Sequence, residues 1–358
     1  ISSMPALPWI AGLLAMLQPA ILYQAATFYQ DGILAAAAGI FFAAILGVFQ
    51  KTVSHRLFIL LASMVLLGLS KKTGLVQCAL LAPFLMLALW IRNLSPAVFR
   101  MTLAGSVFAF YLLGFLLVRW GERLPHSILS EEIRNLSILY DATAIDRDGS
   151  GGIHGGCGKV SPHPAVTFWR RHFSATKRGD DGRGIKPPFW FTRPELDVFS
   201  DLTPDLRFGG YGPLYGTAVL LALLPGFLLF VRGNREQAGW VLILAACLAL
   251  IPLTPSWWAR WFPQGWWVPF AACVGFLCGQ PDGLKKFRWV GWLAKGGMLA
   301  LGLNSFLILG FTVKGYAESE AVIRQQLSFL GTRPQPLHIE RSEEHTSELQ
   351  SRVDISYA

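Results

Sequence analysis

The 358-residue chain is 53% hydrophobic and only 15% charged, with 31 Lys+Arg against 22 Asp+Glu. Soluble domains average about 45–50% apolar and about 25% charged, so this composition excludes a disordered protein and argues against a soluble nucleic-acid binder, despite the net charge of +9. A mean hydropathy of +0.44 points instead to a membrane protein whose loops collect the basic excess.

The chain opens on Ile1-Ser2-Ser3 without a Met and reads as a cut, with earlier spans expected upstream. Residues 341–358, RSEEHTSELQSRVDISYA, resemble a translated sequencing adapter and are set aside as an artefactual tail. Natural sequence is therefore expected over residues 1–340. The five cysteines form no disulfide framework, and His154 and Cys157 make an isolated pair without a second pair of metal ligands.

A helix that crosses the hydrocarbon core needs about 20 mostly apolar residues. Windows 7–25, 32–50, 57–70, 74–91, 101–118, 213–231, 238–253, 266–280 and 289–313 meet or approach that length. The expected fold class is thus an all-α polytopic membrane protein of about nine transmembrane helices. Windows 57–70, 238–253 and 266–280 are short for a crossing and suit tilted pairs or re-entrant segments as well.

Orientation follows from the short connections. Lys51, Arg56, Arg92, Arg100, Arg232, Arg235, Lys285, Lys286 and Arg288 fall on one side, against Lys71, Lys72 and Arg260 on the other. The positive-inside rule makes the first side cytoplasmic. The long segment 119–212 then lies outside. This divides the chain into an N-terminal transmembrane bundle (1–118), an extracytoplasmic loop domain (119–212), a C-terminal transmembrane bundle (213–313) and an extracytoplasmic segment (314–340). Within the loop, 162–175 (PHPAVTFWRRHFSA) mixes Phe168, Trp169 and Phe173 with Arg170, Arg171 and His172. As a helix it suits either a bilayer-surface element or a solvated one.

Asp31 is the only acidic residue between Ile1 and Trp120, at the outer mouth of the second window. An acid beside the hydrocarbon boundary loses solvation, so a partner neutralises it or a reaction uses it as a base. The plainer alternative is a helix N-cap. Lys71, Lys72 and Arg260 defy the positive-inside trend and share that membrane face with Asp31. Such cations suit a lipid-linked phosphate, or they snorkel to headgroups in general. Arg207, in RFGGYGPLYG, is a further candidate anion ligand. That Gly-rich run lacks the spacing of a nucleotide cradle and reads as a turn into the next span. Tyr29, Trp257 and Trp258 are the aromatics placed to contact a sugar or lipid tail.

The runs QPAILYQAATFYQDG (18–32), SKKTG (70–74), WFTRPELDVFSDLTPDLRFGGYGPLYG (190–216) and WWARWFPQGWWVP (257–269) resemble bacterial polytopic glycosyltransferases of the GT-C superfamily, of the protein mannosyltransferase and aminoarabinose transferase type. The resemblance lies in order and character over most of residues 5–270. It implies transfer of a sugar from a polyprenyl-phosphate donor to an extracytoplasmic glycan, lipid or protein acceptor. It also implies a catalytic acid in an outward loop, the position that Asp31 holds. No cofactor or nucleic acid is implied, and a divalent metal is left open. One rival is an O-antigen polymerase or ligase-like enzyme, which would use Arg170, Arg171 and His172. The other is a transporter or flippase, against which the scarcity of acids within the spans counts.

Overall fold

The computed structural model describes residues 14–15, 30–50, 54–70, 72–91, 93–121, 164–174, 186–200, 210–253, 262–278 and 288–331. Among these it is helical without a strand. The main helices are α1 (Gln30–Gln50), α2 (Ser54–Ser70), α3 (Lys72–Ile91), α4 (Pro96–Gly121), α5 (Pro164–His172), α6 (Arg193–Asp197), α7 (Tyr215–Arg232), α8 (Ala238–Leu250), α9 (Trp267–Leu277) and α10 (Arg288–Gly331).

Among the described residues, six stretches are long and apolar enough to cross a membrane: those of α1, α3, α4, α7, α8 with its flanking turns, and α10. The expected count of about nine is therefore not reached among the described residues. The window 7–25 lies outside them, apart from helical Leu14 and Ala15. Window 57–70 becomes α2, with 17 residues. Window 266–280 becomes α9, whose 11 residues rise about 16 Å and fall well short of a core about 30 Å thick. The last window does not stop at 313: α10 runs unbroken for 44 residues, roughly 66 Å.

Burial follows from composition. Helix α8 (AGWVLILAACLAL) is apolar on every side and sits at the centre, packed by α1, α4 and α9. Short α9 is buried along nearly its whole length between α7, α8 and α10. Helices α2 and α4 lie at the periphery and leave large apolar side chains uncovered, with Leu69 81% and Met101 75% exposed. A water-soluble monomer rarely shows such continuous apolar surface, whereas lipid accepts it.

The two ends of the bundle can be told apart by contacts. Gly74 in the first turn of α3 lies against Leu34 in the first turns of α1. At the opposite end Phe49 of α1 meets Phe99 of α4, with ring centroids 6.0 Å apart. There Gly239 at the start of α8 also packs on Leu46 and Phe49.

Candidate functional site

The end where α1, α3 and α7 begin gathers the polar and aromatic groups of widest sequence separation. Helix α5 docks there through Phe168, which is fully buried and meets Phe262 edge-on, with centroids 5.9 Å apart. His172, 3% exposed, packs between Phe168 at 4.6 Å and Tyr211 at 4.4 Å. Neither expectation for 162–175 holds on this face. Its apolar stripe serves the protein core rather than a bilayer surface, and His172 is not a solvated group. The side chains of Arg170 and Arg171 lie outside the described residues.

Residues 210–216 (GYGPLYG) then turn the chain into α7, as the glycines suggested. Gly212 adopts φ +101, and a Cβ there would strike Asn304 at 2.6 Å, so only glycine fits. Asn304 of α10 is fully buried and closes the turn twice. Its Oδ1 accepts from the Leu214 N–H at 2.8 Å, and its Nδ2 donates to the Tyr211 carbonyl at 2.7 Å. Tyr211 and Tyr215 lie ring against ring at 4.5 Å. Their hydroxyls donate to the Phe262 and Gly265 carbonyls, the latter at 2.7 Å. Gly265 sits directly under the Tyr211 phenol, which leaves no room for a side chain. Beside it, Gln264 donates from Nε2 to Gln77 Oε1 of α3 at 2.6 Å, with both residues fully buried. Unpaired, each amide would be costly in an apolar interior. Paired, they fix how the 263–266 turn sits on α3.

Segment 186–200 covers the same end. Lys186 Nζ donates to Glu195 Oε1 at 2.8 Å and to the Pro213 carbonyl at 2.6 Å. The other carboxylate oxygen, Oε2, accepts from the Thr192 N–H at 2.9 Å, completing a capping box. The side chains of this ion pair are only 11% and 4% exposed. Desolvation lowers the Lys186 pKa from its ordinary value, and the hydrogen bond and charge of Glu195 work against that shift. Sequence reasoning missed this pair, although Thr192-Arg193-Pro194-Glu195 carries the legible signature of a capped helix start. Further along, Phe199 is fully buried against Ala35 of α1 and Ile308 of α10.

The expected site residues fall on this framework unevenly. Asp31 is the second residue of α1 and so stands in its first turn, two residues past the N-cap position. It precedes Ala35 by four residues, which puts both positions on one helix face, the one Phe199 covers at Ala35. Lys72 is the first residue of α3, two before the Gly74 that meets Leu34. The backbone thus brings the positions of Asp31 and Lys72 to one end of the bundle. Their side chains lie outside the described residues, as do Tyr29, Lys71, Arg207, Trp257, Trp258 and Arg260 altogether.

A cation in the first turn of a helix opposes the positive end of the helix dipole. Lys72 therefore gains no stabilisation from the dipole of α3. No group of three or more His, Cys, Asp or Glu that could hold a metal occurs among the described residues. No protein-family model, no curated protein and no solved structure matches the chain.

Proposed function

We propose that this chain is a membrane glycosyltransferase that moves a sugar from a polyprenyl-phosphate donor to an acceptor hydroxyl. The observation that carries the reading is the meeting of the first turns of α1 and α3, with Asp31 and Lys72 on them, under segment 186–200. Asp31 acts as general base toward the acceptor hydroxyl, and its proton gain is matched by departure of the lipid phosphate. Lys72, with Lys71 and Arg260 from neighbouring loops, stabilises that leaving group. A lipid-linked donor needs no nucleotide fold, in keeping with the absence of a phosphate-cradling motif from the sequence. A divalent metal remains compatible with the scheme, and no step depends on one.

The test gives the purified chain a radiolabelled polyprenyl-phosphate sugar and a panel of glycan, lipid and peptide acceptors. Asp31→Asn should lose about 10²–10⁴-fold in transfer rate, the usual contribution of a general base. Lys72→Ala should mainly weaken use of the donor. Label that stays on the lipid with every acceptor defeats the proposal in favour of a transporter or flippase. Wild-type transfer by Asp31→Asn would reduce Asp31 to a helix-end charge.

A further inference from the structure

The stretch Lys186-Pro187-Pro188-Phe189-Trp190-Phe191 presents three consecutive exposed aromatics: Phe189 is 65%, Trp190 63% and Phe191 40% exposed. Exposure of this kind usually means a loose loop, but this turn is pinned on both flanks. Before it, Lys186 is held by its backbone N–H on the Phe173 carbonyl at 2.8 Å, by Glu195 and by the Pro213 carbonyl. After it, Thr192 is held by Glu195. In the middle, the Phe189 N–H donates to Thr217 Oγ1 of α7 at 2.8 Å, and Phe189 takes a left-handed φ of +65. A phenylalanine in that region is strained and persists only where its surroundings dictate it.

The bond to Thr217 also fixes where the turn stands. Helix α7 is one of the stretches fit to cross a membrane, spanning Tyr215–Arg232. Its uncovered apolar residues, Leu220, Leu223, Phe227 and Val231, recur at intervals of three and four and form one stripe. Thr217 lies on that same face one turn earlier, and it is buried. The aromatic turn therefore continues the apolar stripe alongside the first turn of the helix. Arg193, with its side chain 82% exposed, follows two residues after Phe191. Aromatic rings ending an apolar surface, with a cation just beyond, match the profile of the headgroup boundary.

We propose that residues 187–191 form a membrane-seated turn, with Phe189, Trp190 and Phe191 embedded at the headgroup–acyl boundary of the phospholipid leaflet where α7 begins. The turn holds segment 186–200, and with it the Lys186–Glu195 pair, at a set depth over the end of the bundle. This rests on the membrane-spanning character of α7 and is independent of any transfer chemistry.

The test reconstitutes the chain, with its five cysteines changed to alanine, into phospholipid nanodiscs. A nitroxide is attached at Trp190→Cys and, separately, at Phe191→Cys, two exposed positions whose replacement spares the core. Collision with oxygen, which enriches in lipid, is compared with collision with a water-soluble nickel chelate. Phe227→Cys supplies the lipid-facing reference and Gln326→Cys, on the exposed end of α10, the aqueous one. The proposal expects nickel accessibility at 190 and 191 several-fold below that at 326, with oxygen accessibility retained. Nickel accessibility equal to that at 326 places the turn in water and overturns it. Exclusion of both reagents shows a protein surface, such as a second copy, over the turn and overturns it equally. If one labelled variant does not run as a single species on gel filtration, the other carries the same decision.

Discussion

The two ends of the bundle close their helices by different means. At the end where α7 stops and α8 begins, Asn234 and Gln237 close the turn on themselves, exchanging side-chain and backbone bonds of 3.0 and 3.1 Å. Arg100 adds a cation on the Gly233 carbonyl, where the negative end of α7 favours it, and Gln237 reaches Gly275 at 2.8 Å. Those contacts do little more than satisfy helix ends. The other end ties together residues 50 to 187 positions apart, namely Tyr215 to Gly265, Asn304 to Tyr211 and Leu214, and Gln264 to Gln77. It also buries an ion pair, one partner of which caps α6. Polar groups in an apolar bundle are tolerated only when paired, so a cluster of them selects one arrangement of segments. The lesson of the contrast is that one end mainly satisfies helix termini while the other buries a polar cluster joining α3, α7, α10, segment 186–200 and the 262–266 turn, and that is also the end where the positions of Asp31 and Lys72 meet.

The largest test of this contrast is Glu195→Ala. It strands the Lys186 ammonium in a site that is barely solvated, which should cost about 3–5 kcal/mol. Thermal unfolding in one detergent, read against Arg193→Ala, measures it. The Arg193–Asp197 pair is exposed at 3.9 Å and should be worth about 0–1 kcal/mol. Equal shifts for the two variants would show that the buried pair anchors nothing. Next comes Asn304→Leu, which leaves the Leu214 N–H and the Tyr211 carbonyl without their partner at an expected cost of about 1–3 kcal/mol. Its counterpart at the opposite end, Arg100→Gln, removes a favourable charge from the end of α7 and should cost about 1 kcal/mol or less. A larger loss from Arg100→Gln would reverse the ranking of the two ends.

Much of the helix layout was legible in the sequence, because a span announces itself over some twenty residues and needs no partner to be recognised. Windows 32–50, 74–91 and 213–231 differ from α1, α3 and α7 by two residues or fewer at each end. The destination of an apolar face was not legible. Ala165, Phe168 and His172 would look the same facing lipid, water or protein, and what decides is Phe262, far along the chain. The short window 266–280 makes the same point, because hydropathy cannot separate a helix buried in protein from one bathed in lipid. At the candidate site, loop order alone brought Asp31 and Lys72 to one end. The Thr192–Glu195 half of the buried ion pair was readable as a cap, whereas its Lys186 partner, nine residues before Glu195, carries no local signal.

The smallest effect expected is one of pH, and its sign discriminates. Burial lowers the folded-state pKa of Lys186 below the ordinary 10.5, and Glu195 only partly restores it. In the window between the lowered value and 10.5, the unfolded chain holds more of the proton than the folded one. Stability contributed at this site must therefore rise with pH across that window, and it is flat below it, where both states are protonated. Lys186→Met removes the titration while keeping the length of the side chain. The difference in melting temperature between wild type and Lys186→Met should move in favour of the wild type as pH approaches 10.5. A difference that moves the other way would mean that the ion pair outweighs desolvation. Lys186 would then be held by its charge at this end of the bundle, and the cost of burying it would no longer set this end apart from the one that Arg100 closes.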